Sequence, residues 1–386
     1  MCDNITVFLA KIDSMYIEDE DFKKVFEDYD KLKSVLTEIN SLIEMYNVKD
    51  VIVKQIRMLV GMGLKTVKTH QPITRRFDGH MLHTVFYGNP GVGKSKTALL
   101  IAKCWESLGL LKLVNNNYNL NNKDLLYKIN KNRSTFLELY ETYKTQTKEK
   151  SGNLWKQNVL QWESLKAGLK ELGDDLTLNI EHNGDISLRP EPLITVCGRE
   201  DFVAEYSGQT AIKTSKFLTA NLGKCIIIEE AYLLCHSEAD TYGMEAITIL
   251  NRFMDEHNED LIIVFTGYEE MLRHTIFKYQ PGLKRRCQWF FDIHGYSPEG
   301  LGNIFKLQVN SMKWNIDSSV DLTGFFSTNM SHFSNFGGDT QKLALHCKLE
   351  YSEQNFDNLL NNDFNMIITQ DMLLKGFEEY KKHNIY

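Results

Sequence analysis

Eight consecutive residues, Gly88-Asn89-Pro90-Gly91-Val92-Gly93-Lys94-Ser95, read G-x-x-x-x-G-K-S. Glycines at this spacing let the chain curl so that successive backbone N–H groups converge on one point, where they cradle a phosphate chain. In such a loop Lys94 reaches the β- and γ-phosphates and the Ser95 hydroxyl holds Mg²⁺. Lys96, one residue further on, is counted with the nucleotide-binding residues. Two acids, Glu229 and Glu230, close the apolar run Ile226-Ile227-Ile228. At a strand end in the same sheet as a phosphate loop, the first acid supports the metal and the second polarises the attacking water. The first position is usually Asp, so Glu229 is a departure that displaces its carboxylate by one methylene. Lys284, Arg285 and Arg286 follow Gln280-Pro281-Gly282-Leu283. One reading is a solvated basic turn. The other is an arginine that enters a neighbouring subunit's site and stabilises charge on the transferred phosphate. The chemistry these residues point to is ATP binding and hydrolysis with Mg²⁺.

The surrounding sequence supplies the elements such a site needs. His83 to Tyr87 is a β-branched and aromatic run fit for a buried strand, and Lys96 to Trp105 is helix-forming. Strand, glycine loop, helix is the order that gives the motif its meaning. Leu193–Val196, Cys225–Ile228, Leu261–Phe265 and Trp289–Ile293 are further strand candidates. Continuous apolar runs suit parallel strands buried on both faces, so an α/β three-layer fold with a five-stranded parallel sheet is expected. Residues 1–38 read as an acidic, helical N-terminal extension, and residues 39–113 as the first part of the nucleotide-binding unit. Residues 114–189 are too long for a connection in such a fold and read as an insertion. Within it, Leu126, Ile129, Phe136, Tyr140 and Tyr143, then Trp155, Val159, Trp162, Leu165, Leu169 and Leu172, recur at helical spacing around Ser151-Gly152-Asn153. A helical hairpin is the simplest solution. Either it packs on itself, or part of its aromatic stripe stays open to dock a partner. Leu178/Ile180 and Ile186/Leu188 alternate about Asn183-Gly184, a β-hairpin signal. Residues 190–296 return to the sheet. Residues 297–386 are helical, opening on Ser297-Pro298-Glu299, a cap residue followed by proline.

The chain has 386 residues with net charge −7, 42% hydrophobic and 25% charged. That balance fits a globular protein and disfavours a broad electrostatic grip on nucleic acid. Seven scattered cysteines with no C-x-x-C pair argue against zinc and disulfide frameworks and for a reducing, intracellular and cytoplasmic setting. His80 and His83 lack the partners of a metal site and are read as structural. No run of 18 apolar residues suggests a membrane span.

Several segments together resemble one family. They are Leu42-Ile43-Glu44-Met45; Asp78 to Ser95; Arg199 to Ala211; Glu229-Glu230-Ala231-Tyr232; Phe265 to Glu270; Gly282 to Arg286; and Phe336-Gly337-Gly338-Asp339. In this order, over about 39–113 and 190–356, the chain resembles the AAA+ ATPases of the CbxX/CfqX type, which include red-type Rubisco activases, and their relatives in large nucleocytoplasmic DNA viruses. The resemblance implies a C-terminal helical lid and a hexameric ring, a homo-oligomer with ATP between subunits. The work implied is remodelling of a protein substrate that the sequence does not identify. It places Arg286 at the finger arginine and Tyr206-Ser207-Gly208 on the pore loop. Thr266 or Tyr268 falls near the sensor position after the fourth strand. Such proteins carry a lid arginine that contacts nucleotide. Here Gln341-Lys342 and Ser352 to Asn355 hold none, and Glu44 stands where glycine is usual. These departures leave two alternatives open: a nucleotide-gated scaffold with little hydrolysis, and a nucleic-acid motor or loader, which the net charge and the aromatic pore residue disfavour.

Overall fold

A computed structural model describes residues 4–69, 82–111, 192–206, 208–355 and 366–383, and the backbone of 176–180 and 186–190. The loop containing Pro72, Arg75, Arg76 and Gly79, the expected helical hairpin, and Ser207 lie outside these residues.

Four helices open the chain: α1 (Asn4–Glu18), α2 (Glu20–Lys23), α3 (Tyr29–Ser41) and α4 (Tyr46–Lys68). Asp28 caps α3 by accepting the Lys31 N–H at 2.9 Å. Apolar residues recur at helical spacing over 39–64, and the helix is interrupted at Leu42–Met45. Glu44 and Met45 both adopt left-handed backbone, at φ 54° and 51°. Lys49 stabilises the break, its ammonium donating to the Asn40 and Leu42 carbonyls at 2.9 and 2.6 Å. Those oxygens would otherwise be orphaned at the end of α3.

Strand β1 (Thr84–Gly88) leads into helix α5 (Lys94–Ser107). Strands β2 (Leu176–Ile180) and β3 (Ile186–Pro190) pair antiparallel, with Leu178 opposite Leu188. The Asn183-Gly184 turn between them is outside the described residues. Then come β4 (Ile194–Cys197), α6 (Arg199–Phe202), α7 (Thr210–Ala220), β5 (Cys225–Ile228), a 3₁₀ turn (Ala231–Leu234), α8 (Thr241–Glu256) and β6 (Ile262–Gly267). Short helices α9 (Glu269–His274), α10 (Ile276–Tyr279) and α11 (Pro281–Arg286) precede β7 (Trp289–Ile293).

Five strands form one parallel sheet in the order β4-β5-β6-β1-β7, with Thr84 beside Val264 on one side and Trp289 on the other. This is the expected three-layer α/β architecture. All four residues of β5 and all six of β6 are buried, as strands covered on both faces must be. Ile226, Ile228, Ile263 and Phe265 pack with Leu250 and Met254 of α8 in the main core. Phe86 and Phe291 stack at 4.6 Å between centroids. Trp105 of α5 is buried, and its indole N–H donates to Gln55 of α4 at 3.1 Å.

The C-terminal part is helical: α12 (Pro298–Ser311), α13 (Leu322–Asn329), α14 (Gly337–Gln354) and α15 (Gln370–His383), with a short parallel pair β8 (Asn315–Ile316) and β9 (Ile367–Ile368). Ser297 caps α12 by accepting the Gly300 N–H at 3.0 Å. Phe305, Phe326, Phe333 and Tyr380 form its aromatic core. The chain divides into two compact units, Met1–Leu111 with Ile194–Tyr386, and Lys112–Leu193.

Candidate nucleotide site

The loop Gly88–Ser95 leaves the C-terminal end of β1 and enters α5. Gly91 and Gly93 lie at φ 69° and 95°, which non-glycine residues rarely adopt. A side chain on Gly91 would place its Cβ 1.9 Å from the Asn335 carbonyl oxygen. The lid therefore sits directly on the loop. Gly337 donates its N–H to the Gly91 carbonyl at 3.3 Å, and the Tyr296 hydroxyl donates to the Val92 carbonyl at 2.8 Å.

Lys94 is buried, and its ammonium donates to the Gly88 and Asn89 carbonyls at 3.1 and 2.9 Å. Two of its three protons are thus spent on its own loop, and one is left for a phosphate oxygen. The Tyr268 ring lies 4.6 Å from the ammonium. Burial holds the Lys94 pKa below the usual lysine value, and the Glu230 carboxylate pulls it back up. Glu230 adopts left-handed backbone at φ 44°, and its Oε2 is buried with no hydrogen-bond partner among the described residues. Burial and then this carboxylate push the Tyr232 phenol up, and the Tyr232 and Tyr268 rings stack at 5.5 Å. Lys94, Glu230, Tyr232 and Tyr268 are therefore one cluster.

Other expected site residues stand elsewhere. Ser95 is exposed in the first turn of α5. Lys96 is expected at the nucleotide, but its ammonium turns to Glu38 of α3 at 3.6 Å. Two residues beyond Lys94 is about 200° around a helix, so the two ammonium groups leave opposite faces. Glu229 is expected beside the loop's metal position, but it is exposed and lines a cavity of about 560 Å³ with Cys197, Gly198, Arg199 and His236. The reason is local. Glu229 still extends the strand, its N–H donating to the Cys197 carbonyl at 2.9 Å, while Glu230 leaves it in left-handed backbone. The two carboxylates diverge. Thr266 is buried in β6, its hydroxyl 3.4 Å from the Ile228 carbonyl. Of the Thr266/Tyr268 pair it is Tyr268 that touches Lys94. Arg286 donates to Asn251 at 2.8 Å and pairs with Asp255 at 3.0 Å, both on α8, with its side chain 19% exposed. Lys284 and Arg285 are exposed. Tyr206 is 67% exposed, and Gly208, at φ 77°, has open space around it.

Two cavities flank the loop. One, about 480 Å³, is lined by Gly88, Asn89, Pro90, Tyr268 and Asp292. The other, about 390 Å³, lies between Glu44–Val48 and Asp292–Ser297.

No family model matches the chain. Among curated proteins it is 29% identical over 191 residues to a cfxQ-like protein of Acanthamoeba polyphaga mimivirus, covering 48% of this chain and 46% of that one. It is also 29% identical over 186 residues to the chloroplastic ribulose bisphosphate carboxylase/oxygenase activase of Cyanidioschyzon merolae, covering 47% and 60%. With protein CbxX of Cupriavidus necator it shares 32% over 142 residues, covering 36% and 44%. Over these segments the chain is similar to AAA+ proteins of the CbxX/CfqX type. It spans about half the length of the curated relatives it matches. Among solved structures, a FIGL-1 AAA domain aligns with a TM-score of 0.44 at 11% identity, covering 86% of this chain and 84% of that one.

Against the expectation set by this similarity, the lid departs in chemistry rather than in shape. Where α14 begins, the buried Thr340 hydroxyl donates to Gln308 at 2.8 Å, and Gln308 donates to the Gly337 carbonyl at 2.8 Å. The Lys342 ammonium lies 3.6 Å from Asp339. The lid contacts to Gly91 and Val92, the Tyr232–Tyr268 stack and the buried Glu230 oxygen escape sequence reasoning. Their only traces are the aromatic residues that follow β5 and β6. Among the described residues no helix is long and apolar enough to cross a membrane.

Proposed function

We propose that this chain binds ATP in the Gly88–Ser95 loop, hydrolyses it, and uses the cycle to remodel a protein partner as a ring of identical subunits. The observation that carries the reading is the meeting of Lys94 and the orphaned Glu230 oxygen at the loop. A buried carboxylate oxygen without a donor is costly unless something supplies one. A water held against Oε2 would satisfy it and give up its proton there during attack on the γ-phosphate. Lys94 would trade loop carbonyls for phosphate oxygens, and the convergent N–H groups would hold the remaining charge.

The exposed Ser95 hydroxyl, in the first turn after Lys94, offers the kind of oxygen donor that Mg²⁺ takes. Bound there, the ion would neutralise charge on the β- and γ-phosphates. Glu229 would join it only by turning in from the neighbouring cavity. The cavity between Glu44–Val48 and Asp292–Ser297 has the volume for a base and sugar. Arg286 would serve the next subunit's site after leaving Asn251 and Asp255. The exposure of Tyr206 and the open space at Gly208 support a role in gripping polypeptide.

The test is phosphate release at saturating ATP and Mg²⁺, with nucleotide binding measured alongside, for wild type and Lys94→Ala. The variant should lose binding or turnover. A variant that binds and hydrolyses like wild type would sink the reading. A second reading, nucleotide-gated assembly with little turnover, is favoured by the outward Glu229 and by a lid start whose polar groups satisfy one another. Wild-type binding without phosphate release would select it.

A further inference from the structure

The break between α3 and α4 touches both the glycine loop with its helix and the first turn of the lid. Its Met45 Sδ lies 3.8 Å from the Thr97 hydroxyl of α5, and the Met45 methyl approaches Gly93 of the loop. Its Glu44 reaches the other way, to the first turn of the lid. One carboxylate oxygen accepts the Ser297 N–H at 3.1 Å, and the other accepts the Ser297 hydroxyl. Gly300 leaves room for this contact, since a Cβ there would lie 2.5 Å from Glu44 Oε1. Glu44 and Ser297 both line the 390 Å³ cavity, and their contact closes part of its wall. Glu44 holds this position on left-handed backbone that disfavours any L-residue. Strain retained at a point where a side chain bridges two elements is the mark of a contact that matters.

We propose that Glu44 is a positioning residue that pins the first turn of the lid beside the candidate nucleotide cavity and thereby sets how fast nucleotide leaves. The inference rests on the nucleotide-binding reading above. Tyr296, the residue before Ser297, is held to the phosphate loop through the Val92 carbonyl. The lid's first turn is thus fastened at two adjacent residues, one to the glycine loop and one to the break between α3 and α4. Opening it requires both contacts to break. Glu44 is the fastening that a substitution can remove without disturbing the loop.

Glycine is the informative replacement. It removes the carboxylate and also relieves the left-handed backbone, so lost hydrogen bonds and recovered strain oppose each other in stability. Only the lid contact changes without compensation. Protein loaded with Mg²⁺ and N-methylanthraniloyl-ADP is chased with excess unlabelled ADP, and the fluorescence decay is followed by stopped flow. Glu44→Gly should release the probe about five- to tenfold faster than wild type, the effect of losing a partly exposed charge-assisted pair of hydrogen bonds. Its melting temperature without nucleotide should stay close to wild type. Glu44→Gln, which keeps one acceptor, should fall between. Wild-type release from Glu44→Gly overturns the inference and leaves nucleotide binding standing. Faster release accompanied by a large fall in the nucleotide-free melting temperature of both variants makes Glu44 merely structural and also overturns it. Failure of the wild type to bind the probe overturns the inference together with the reading on which it rests.

Discussion

His83 gives the sharpest quantitative prediction, because it is a buried ionisable group with a defined role. It sits just before β1, wholly buried, and its Nδ1 accepts the Ile263 N–H at 3.1 Å. Burial pushes its pKa down to about 4, outweighing the pull of the Met254 backbone, and the Arg286 charge nearby acts in the same direction. The unfolded value is the ordinary one, about 6.5. The unfolded chain therefore takes up the proton first on acidification. Stability is intact above pH 6.5 and is lost as pH falls toward 4. With these two values the loss attributable to His83 is about 2 kcal/mol between pH 7 and pH 5, at ~1.4 kcal/mol per pH unit over most of that range. His83→Asn keeps an acceptor near Nδ1 and removes the titration. It should be less stable than wild type at pH 7, since the outer half of the ring leaves a cavity. Urea denaturation of both proteins at pH 7, 6 and 5 isolates the term, because all other titrations cancel in the difference. The stability gap should narrow by about 2 kcal/mol between pH 7 and pH 5. A gap independent of pH would refute the assignment of a buried neutral imidazole.

Glu230→Gln should keep nucleotide affinity while phosphate release falls by ~10²–10⁴, since the amide cannot accept the water's proton; unchanged turnover would exclude Glu230 as the base. Arg286→Ala should lower turnover by ~10³ or more if it acts as a finger. Mixed with Lys94→Ala subunits it should regain part of that loss, because one kind of subunit boundary keeps both groups; no recovery in demonstrably mixed assemblies would leave Arg286 with a cis or structural role beside Asn251 and Asp255. Replacing about residues 115–187 with a short Gly/Ser linker should leave nucleotide binding and assembly intact, because closure entropy grows slowly with loop length. Loss of the fold on that deletion, seen by circular dichroism, would show that the segment belongs to the main core.

The parts of this protein that were legible in its sequence are those whose physics is local. Strands β5 and β6 are buried on both faces, and Cys225-Ile226-Ile227-Ile228 and Ile262 to Phe265 announce it as unbroken apolar runs. The turn from β1 into α5 is legible because Gly91 and Gly93 stand where the backbone takes positive φ. Ser297 caps a helix in the sequence and in the structure for the same reason. What was not legible depends on backbone set by distant residues. Nothing in the string Glu229-Glu230 says that the first carboxylate follows the strand outward and the second turns in through left-handed backbone. Tertiary packing decides that, and a non-glycine residue at positive φ leaves no trace in its own identity. Lys96 misleads for a related reason, because proximity in sequence to Lys94 becomes opposition once helix α5 forms.

The seating of the lid shows the same limit from the other side. Gly91 approaches Asn335 backbone to backbone across more than two hundred residues, and the sequence records only a glycine already explained by the phosphate motif. One residue can thus answer two constraints while its identity reveals one. Glu44 is the converse case. Glycine would satisfy its backbone, so its side chain is the part that calls for explanation, and the side chain leads to Ser297 and the lid. Departures at single positions around this site are therefore not a uniform weakening. Glu229 lines a separate cavity with Cys197 and Arg199, whereas Glu44 adds a contact to the lid, and the two should move turnover and nucleotide release independently.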